Sequence, residues 1–169
     1  MEEAIFLKDK TLGGIFKHLR LPDEVYLKLL ESGEEAMSNK KSVTKASSLE
    51  YYLYEKTDLE DVRAKRKRNY ELVYEFGNFH DFDFLFPYKK DIIPKNVPLI
   101  LKNRNNIRKS LMTKNIFLPV HWPIDNFNAS SKIAKALSDT ELSLVIDQRY
   151  SINEIEYQLE SLLRVANYG

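Results

Sequence analysis

The C-terminal half of the chain alternates short apolar runs with stretches whose apolar residues recur at helical spacing. Runs typical of strands occur at 83–88, 97–101, 116–122 and 142–146. Helical spacing predicts helices over 103–115, over 130–137 and after Ser151, which forms a capping box with Glu154. This order predicts an α+β fold in which helices pack on a small three- to four-stranded sheet.

The N-terminal part of the chain has a helical pattern of its own. An apolar pattern begins after Pro22 and ends at Gly33, which predicts a helical arm. The polar stretch 38–48 shows neither helical nor strand periodicity and predicts a linker. We therefore expect two parts, an N-terminal arm over 1–48 and a domain over 49–169.

A long helix is predicted directly before the sheet region. Thr57 and Glu60 have the spacing of a capping box, and Gly77 is a natural end for the helix. Its five clustered basic residues are Arg63, Lys65, Arg66, Lys67 and Arg68. These cations would spread around the helix, and acidic residues precede them, which favours a solvated or domain-facing helix over a nucleic-acid site. We expect no nucleic-acid partner.

Composition narrows the class of protein. The 169 residues are 43% hydrophobic and 30% charged, with a net charge of +1, which is typical of a globular domain. The absence of cysteine excludes disulfides, thiol nucleophiles and Cys-ligated metals. No apolar run approaches the roughly 18 residues that cross a bilayer, and the N-terminus lacks a signal-peptide pattern. We expect a cytoplasmic protein with no membrane partner.

The sequence lacks the usual motifs of phosphate, metal and nucleophile chemistry. Gly13 and Gly14 are the only paired glycines, and they fit a turn better than a phosphate loop. None of the three histidines has a second histidine at metal-binding spacing. Ser151 is explained as a helix cap rather than a nucleophile. We therefore predict no catalytic residue and no metal site.

Two short segments remain as candidate binding sites. His121 and Trp122 lie between prolines at the end of a predicted strand, where an imidazole and the only indole would reach a loop. Arg149 follows the last predicted strand and could donate to a carboxylate or phosphate. The alternative is structural: Trp122 packs, and Arg149 pairs with Asp147 or Asp125.

Four ordered segments resemble the C-terminal part of the DegT/DnrJ/StrS-type aminotransferases, in particular the subgroup with an H-W-P motif. The four segments are LPDEVYLKLLESGEEAM at 21–37, RAKRKRNYELV at 63–73, VPLILKNRNNIRKSLMTKNIFLPVHWP at 97–123 and LSLVIDQRYSINEIEYQLESLL at 142–163. The resemblance implies a small C-terminal domain of a fold-type-I, pyridoxal-phosphate enzyme that acts on nucleotide-linked sugars in polysaccharide biosynthesis. It implies that His121 and Trp122 lie towards the active site, and it adds Tyr150, beside Arg149, as a substrate-binding candidate.

The chain departs from this family because most of the cofactor-binding large domain has no counterpart, so the arm over 1–48 would be its remnant. The family's reacting lysine precedes a glycine pair, which makes Lys8 and Lys10 weak cofactor-binding candidates. The chemistry also needs a ring acid, an aromatic ring face and phosphate donors. The resemblance therefore implies a chain that binds no pyridoxal phosphate and is catalytically silent alone.

The alternative is a non-catalytic interaction or ligand-binding module that reuses the fold. The partners implied are a second copy, a complementary large-domain chain and a nucleotide-sugar.

Overall fold

The computed structural model describes residues 5–39, 45–121, 124 and 131–168, and it divides into two compact units, Met1–Asp58 and Leu59–Gly169. The described residues form α1 (Ile5–His18), α2 (Asp23–Ser38), α3 (Ser48–Lys56), α4 (Leu59–Phe79), β1 (Asn96–Ile100), α5 (Arg104–Met112), α6 (Lys132–Thr140), β2 (Glu141–Val145) and α7 (Ile152–Tyr168). These seven helices and two strands confirm the α+β fold class. The assignment of domains to 1–48 and 49–169 stays a prediction. None of the described helices is long and apolar enough to cross a membrane.

In the first unit, α1 packs against α2, and the paired glycines belong to α1. The prediction that they form a turn is therefore wrong. A Cβ on Gly13 would lie 3.0 Å from the Leu30 side chain, whereas a Cβ on Gly14 would meet nothing within 4 Å. The missing side chain at Gly13 thus allows the two helices to approach closely. Thr11 of α1 also donates to Glu50 of α3 at 3.2 Å.

In the second unit, β1 and β2 form an antiparallel pair whose two faces differ in chemistry. Val97 lies opposite Leu144, and Leu99 lies opposite Leu142, and all four residues are buried. Opposed residues share a face, so this apolar face joins the core of α4, α5 and α7. The other face carries Asn96, Pro98 and Ile100 opposite Val145, Ser143 and Glu141.

The sheet has two strands in the described residues, fewer than the predicted three or four. The segment predicted as a strand at 83–88 contributes a single antiparallel bridge between Phe84 and Leu99. In the segment predicted at 116–122, the described residues contribute one sheet bond, from Ser143 N–H to the Pro119 carbonyl at 3.1 Å. Pro87 and Pro119 lack an N–H, so neither can donate to a continuing ladder.

The helices of the second unit confirm the sequence pattern more closely. The Ser151 N–H and hydroxyl both donate to the Glu154 carboxylate, at 2.8 and 2.7 Å, and the Glu154 N–H donates to the Ser151 hydroxyl oxygen at 3.3 Å. This reciprocal capping box begins α7, as predicted. The other predicted capping box paired Thr57 with Glu60 at the start of the long helix. In the structure Thr57 is the C-cap of α3, and its hydroxyl donates to the Leu53 carbonyl at 2.7 Å.

Candidate ligand-binding site

A cavity of about 400 Å³ opens in the second unit beside the polar face of the sheet. Its wall includes Tyr70, Tyr74, Phe86, Asn96, His121 and Ser143. Cavities of this size, with apolar walls and a few polar groups, are typical of small-molecule sites. The cavity is therefore the candidate functional site of the described residues.

One wall of the cavity consists of tyrosines that other rings hold in place. Tyr74 stacks on Phe84 with ring centroids 4.1 Å apart, and Tyr70 stacks on Tyr88 at 5.1 Å. The Tyr74 hydroxyl donates to the Phe86 carbonyl at 2.6 Å. Burial, together with the neighbouring Tyr70, raises the pKa of Tyr74, which keeps its phenol neutral. These fixed rings form a preorganised aromatic wall.

The polar residues of the wall belong to a cluster drawn from three separate segments. Asn96 Nδ2 lies 3.1 Å from His121 Nε2. The carboxyl group of buried Glu141 joins this cluster. It accepts from the backbone N–H of His121 at 2.8 Å and from the Ser143 hydroxyl at 2.6 Å. Asn96 Oδ1 is buried, and no described residue donates to it. Glu141 thus holds His121 and Ser143 in position, and the Asn96 amide keeps one unused acceptor.

Of the sequence-predicted site residues that the structure describes, His121 is the one that lines the cavity. Trp122 and Asp125 lie outside the described residues. The structure brings Arg149 and Tyr150 together elsewhere, in the loop between β2 and α7. The sequence analysis missed Asn96, Glu141 and Ser143, although polar residues alternate with leucines at 141–144. That alternation predicts one polar sheet face, and it was the available signal.

The loop that carries Arg149 and Tyr150 is held by Asn69 of α4. The fully buried Asn69 Nδ2 donates to the carbonyls of Ile146, Asp147 and Tyr150 at 3.3, 3.2 and 3.1 Å. Arg68 donates in turn to Asn69 Oδ1 at 2.9 Å. One buried amide therefore fixes the backbone of the whole loop.

Within this loop, Arg149 pairs with Asp147, as the structural alternative predicted. Arg149 Nε donates to both carboxylate oxygens of Asp147, at 2.9 and 3.1 Å. The backbone N–H of Arg149 donates to Asp147 Oδ1 at 3.0 Å. Burial alone would raise the pKa of Asp147. The hydrogen bonds and charge of Arg149, with the charge of Lys95, hold that pKa below its ordinary value.

We expect Arg149→Met to destabilise the second unit by about 1.5 kcal/mol at pH 7, because it removes the side-chain donors of a buried carboxylate. The lowered pKa of Asp147 stabilises the folded state at any pH above the pKa of about 4 that this carboxyl has in the unfolded chain. That stabilisation is lost as the pH falls through the lower pKa of the folded state. Urea unfolding, followed by the amide signals of β1 and β2, should therefore show a difference from wild type that shrinks at acid pH.

A matched control for this prediction is Arg164→Met. Arg164 forms an exposed i,i+4 pair with Glu160 on α7, at 2.9 Å. Exposed pairs of this kind contribute about 0.5 kcal/mol or less. An Arg149→Met penalty that stays constant with pH would contradict the assigned role of Asp147.

The lysine candidates lie in the first unit, on α1. Lys10 pairs with Glu34 of α2, and Lys8 is exposed. Pyridoxal phosphate needs a ring acid, a ring face and phosphate donors around its lysine. The described contacts of these lysines supply none of these groups. The cavity of the second unit has no Lys or Arg among its described wall residues. The described residues therefore do not fit this cofactor.

Each basic residue of α4 has a partner within the second unit. Arg63 pairs with Glu60, Lys65 with Asp61, and Lys67 with Glu71, at 3.1, 2.6 and 4.0 Å. Arg66 donates to Gln148 and Arg68 to Asn69. This pairing agrees with a solvated or domain-facing helix. Within the described ranges, no group of three or more His, Asp or Glu side chains could hold a metal ion.

No protein-family model and no curated protein matches the sequence. One solved structure with a similar fold is "Putative sugar aminotransferase Spr1654 from Streptococcus pneumoniae, PMP-form". It is 16% identical to this chain with a TM-score of 0.48, and the match covers 61% of this chain. The match covers 31% of that protein. A likeness of this degree carries no argument about this chain.

Proposed function

We propose that this chain is an aminotransferase-like protein that corresponds to the C-terminal small domain of a DegT/DnrJ/StrS-type sugar aminotransferase and is catalytically silent alone. The surroundings of the candidate lysines support the proposal that the chain is catalytically silent alone. Lys10 is paired with Glu34, and the described residues give neither Lys10 nor Lys8 the neighbours that the cofactor requires. The proposed correspondence to an aminotransferase small domain rests on the four ordered sequence segments.

The proposed role of the chain is to bind a ligand and to work with a partner that supplies the reacting lysine. The preorganised cavity supports the ligand-binding part, since it forms within the second unit from that unit's own residues. The partner that supplies this lysine would be a complementary large-domain chain, since a second copy of this chain carries the same two lysines on α1. A nucleotide-sugar would then be the substrate of the assembled enzyme, with pyridoxal phosphate on the partner.

Cofactor labelling of the purified chain tests its catalytic silence. We expect titration with pyridoxal phosphate, followed by borohydride reduction and peptide mapping, to give no stoichiometric adduct at Lys8 or Lys10. The Lys8→Arg/Lys10→Arg variant is the control, because scattered labelling of surface lysines should be the same in both proteins. A single saturable adduct that disappears in this variant would show that a cofactor site exists and would overturn the proposal.

A further inference from the structure

The two tyrosine hydroxyls of the cavity wall are engaged by the protein itself. The Tyr74 hydroxyl donates its one proton to the Phe86 carbonyl at 2.6 Å. The Tyr70 hydroxyl accepts from the Lys89 N–H at 3.1 Å. A ligand that bonded to either hydroxyl would have to share or displace an existing partner. The two side chains therefore offer a ligand mainly the surface of their rings.

The other polar side chains of the wall also have partners inside the protein. The Ser143 hydroxyl donates to the Glu141 carboxyl group at 2.6 Å. Asn96 Nδ2 lies 3.1 Å from His121 Nε2, and Asn96 Oδ1 is enclosed by the protein, out of reach of a ligand. Among the described residues that line the cavity, none is Lys, Arg, Asp or Glu. The described part of the wall thus offers no permanent charge and no accessible polar side-chain group that lacks a partner.

The rest of the wall is apolar. Phe86 and Ile92 contribute hydrocarbon surface, and Pro94 and Pro98 have no N–H to donate. The Pro98 carbonyl accepts from the Leu85 N–H at 3.1 Å. An apolar molecule gains free energy when such a wall removes its surface from water. A hydroxyl, carboxylate or phosphate would instead lose its hydration without gaining a new partner.

The volume and the order of the cavity suit a small ligand. An apolar protein cavity of about 150 Å³ is large enough to hold benzene. The cavity here measures about 400 Å³, so a molecule with a single ring fits. Stacking on Tyr88 and Phe84 fixes the rings of Tyr70 and Tyr74. A wall that is ordered before binding loses little side-chain freedom when a ligand packs against it.

We propose that this cavity binds a small, uncharged, apolar molecule, which is held by burial of its hydrocarbon surface and not by hydrogen bonds or charge. The inference rests on the ligand-binding role proposed above and names the chemical class of the ligand. It places the hydroxyl and phosphate groups of a nucleotide-sugar, and the phosphate of pyridoxal phosphate, outside this cavity.

The test is a chemical-shift titration of the full-length ¹⁵N-labelled chain with four probes, read at the amides of Val97, His121 and Ser143. Toluene and phenol have the same number of heavy atoms and differ by the exchange of a methyl for a hydroxyl group. Benzoate adds a negative charge, and uridine diphosphate glucose represents the nucleotide-sugars. We expect toluene to bind about tenfold more tightly than phenol, because the phenol hydroxyl loses water without gaining a free partner. Benzoate and uridine diphosphate glucose should leave these amides unshifted at concentrations at which toluene saturates them.

A variant of the wall shows whether toluene occupies this cavity. Phe86→Ala removes apolar surface but keeps the backbone carbonyl that Tyr74 uses, so toluene should bind about fivefold more weakly. Phe117→Ala makes the same change at a 65% exposed residue outside the described wall, and it should keep the wild-type affinity. If Phe86→Ala does not fold, the ratio of toluene to phenol affinity in the wild-type chain decides the question alone.

The remaining outcomes separate this inference from the ligand-binding role. If phenol, benzoate or uridine diphosphate glucose binds at these amides as tightly as toluene, the inference is wrong, but the ligand-binding role stands. If none of the four probes shifts the cavity amides, both fail. An unchanged toluene affinity in folded Phe86→Ala would place toluene outside the cavity and would also overturn the inference.

Discussion

Replacing Asn69 by alanine should lower the free energy of unfolding of the second unit by about 3 kcal/mol. Asn69 is fully buried, and its Nδ2 donates to three carbonyls of the loop after β2. Without it, these oxygens lose a donor, and Arg68 loses its acceptor at Asn69 Oδ1. Urea unfolding, followed by the amide signals of β1 and β2, measures the change in this unit separately from the first.

Two further variants show whether the donated hydrogen bonds cause this effect. Asn69→Asp keeps the shape of the side chain but turns carboxylate oxygens towards the carbonyls, so we expect a loss at least as large. Asn105→Ala removes an exposed amide from α5 and should change stability by less than about 0.5 kcal/mol. A small loss in Asn69→Asp would mean that the volume of Asn69, rather than its donors, holds the loop.

Replacing Gly77 by alanine should destabilise the second unit by about 2 kcal/mol, although alanine favours helices more than glycine does. A Cβ at this position of α4 would lie 2.2 Å from Phe84 Cζ and 2.7 Å from Phe84 Cε2. Phe84 stacks on Tyr74 and forms the bridge to Leu99, so moving it disturbs both the cavity wall and the sheet edge. Thermal unfolding monitored by NMR measures the loss.

A double-mutant cycle isolates this clash. In a Phe84→Ala background the new Cβ has room, so most of the Gly77→Ala penalty should disappear. Gly14→Ala is the matched control, because a Cβ on that helical glycine meets nothing within 4 Å and should stabilise α1 by up to about 1 kcal/mol. An equal Gly77→Ala penalty in both backgrounds would contradict the role of Phe84.

The candidate site was only partly predictable from the sequence. His121 could be found because it ends an aliphatic run beside prolines, and it does line the cavity. Arg149 was an equally good candidate by residue type, but the structure commits it to Asp147, two residues away. A charged side chain in a loop has several partners within reach, and local spacing does not choose among them.

Sequence patterns were sufficient to predict helices α2, α4, α5, α6 and α7 and the capping box that begins α7, because these depend on contacts within a few residues. Three features follow from packing and not from a local pattern: both glycines at 13 and 14 are helical, the described sheet has two strands, and the cavity lies beside that sheet. The Asn96–His121 contact joins residues 25 apart, and Asn69 reaches carbonyls 77 to 81 residues away. Packing of distant segments creates such contacts, so no local pattern encodes them.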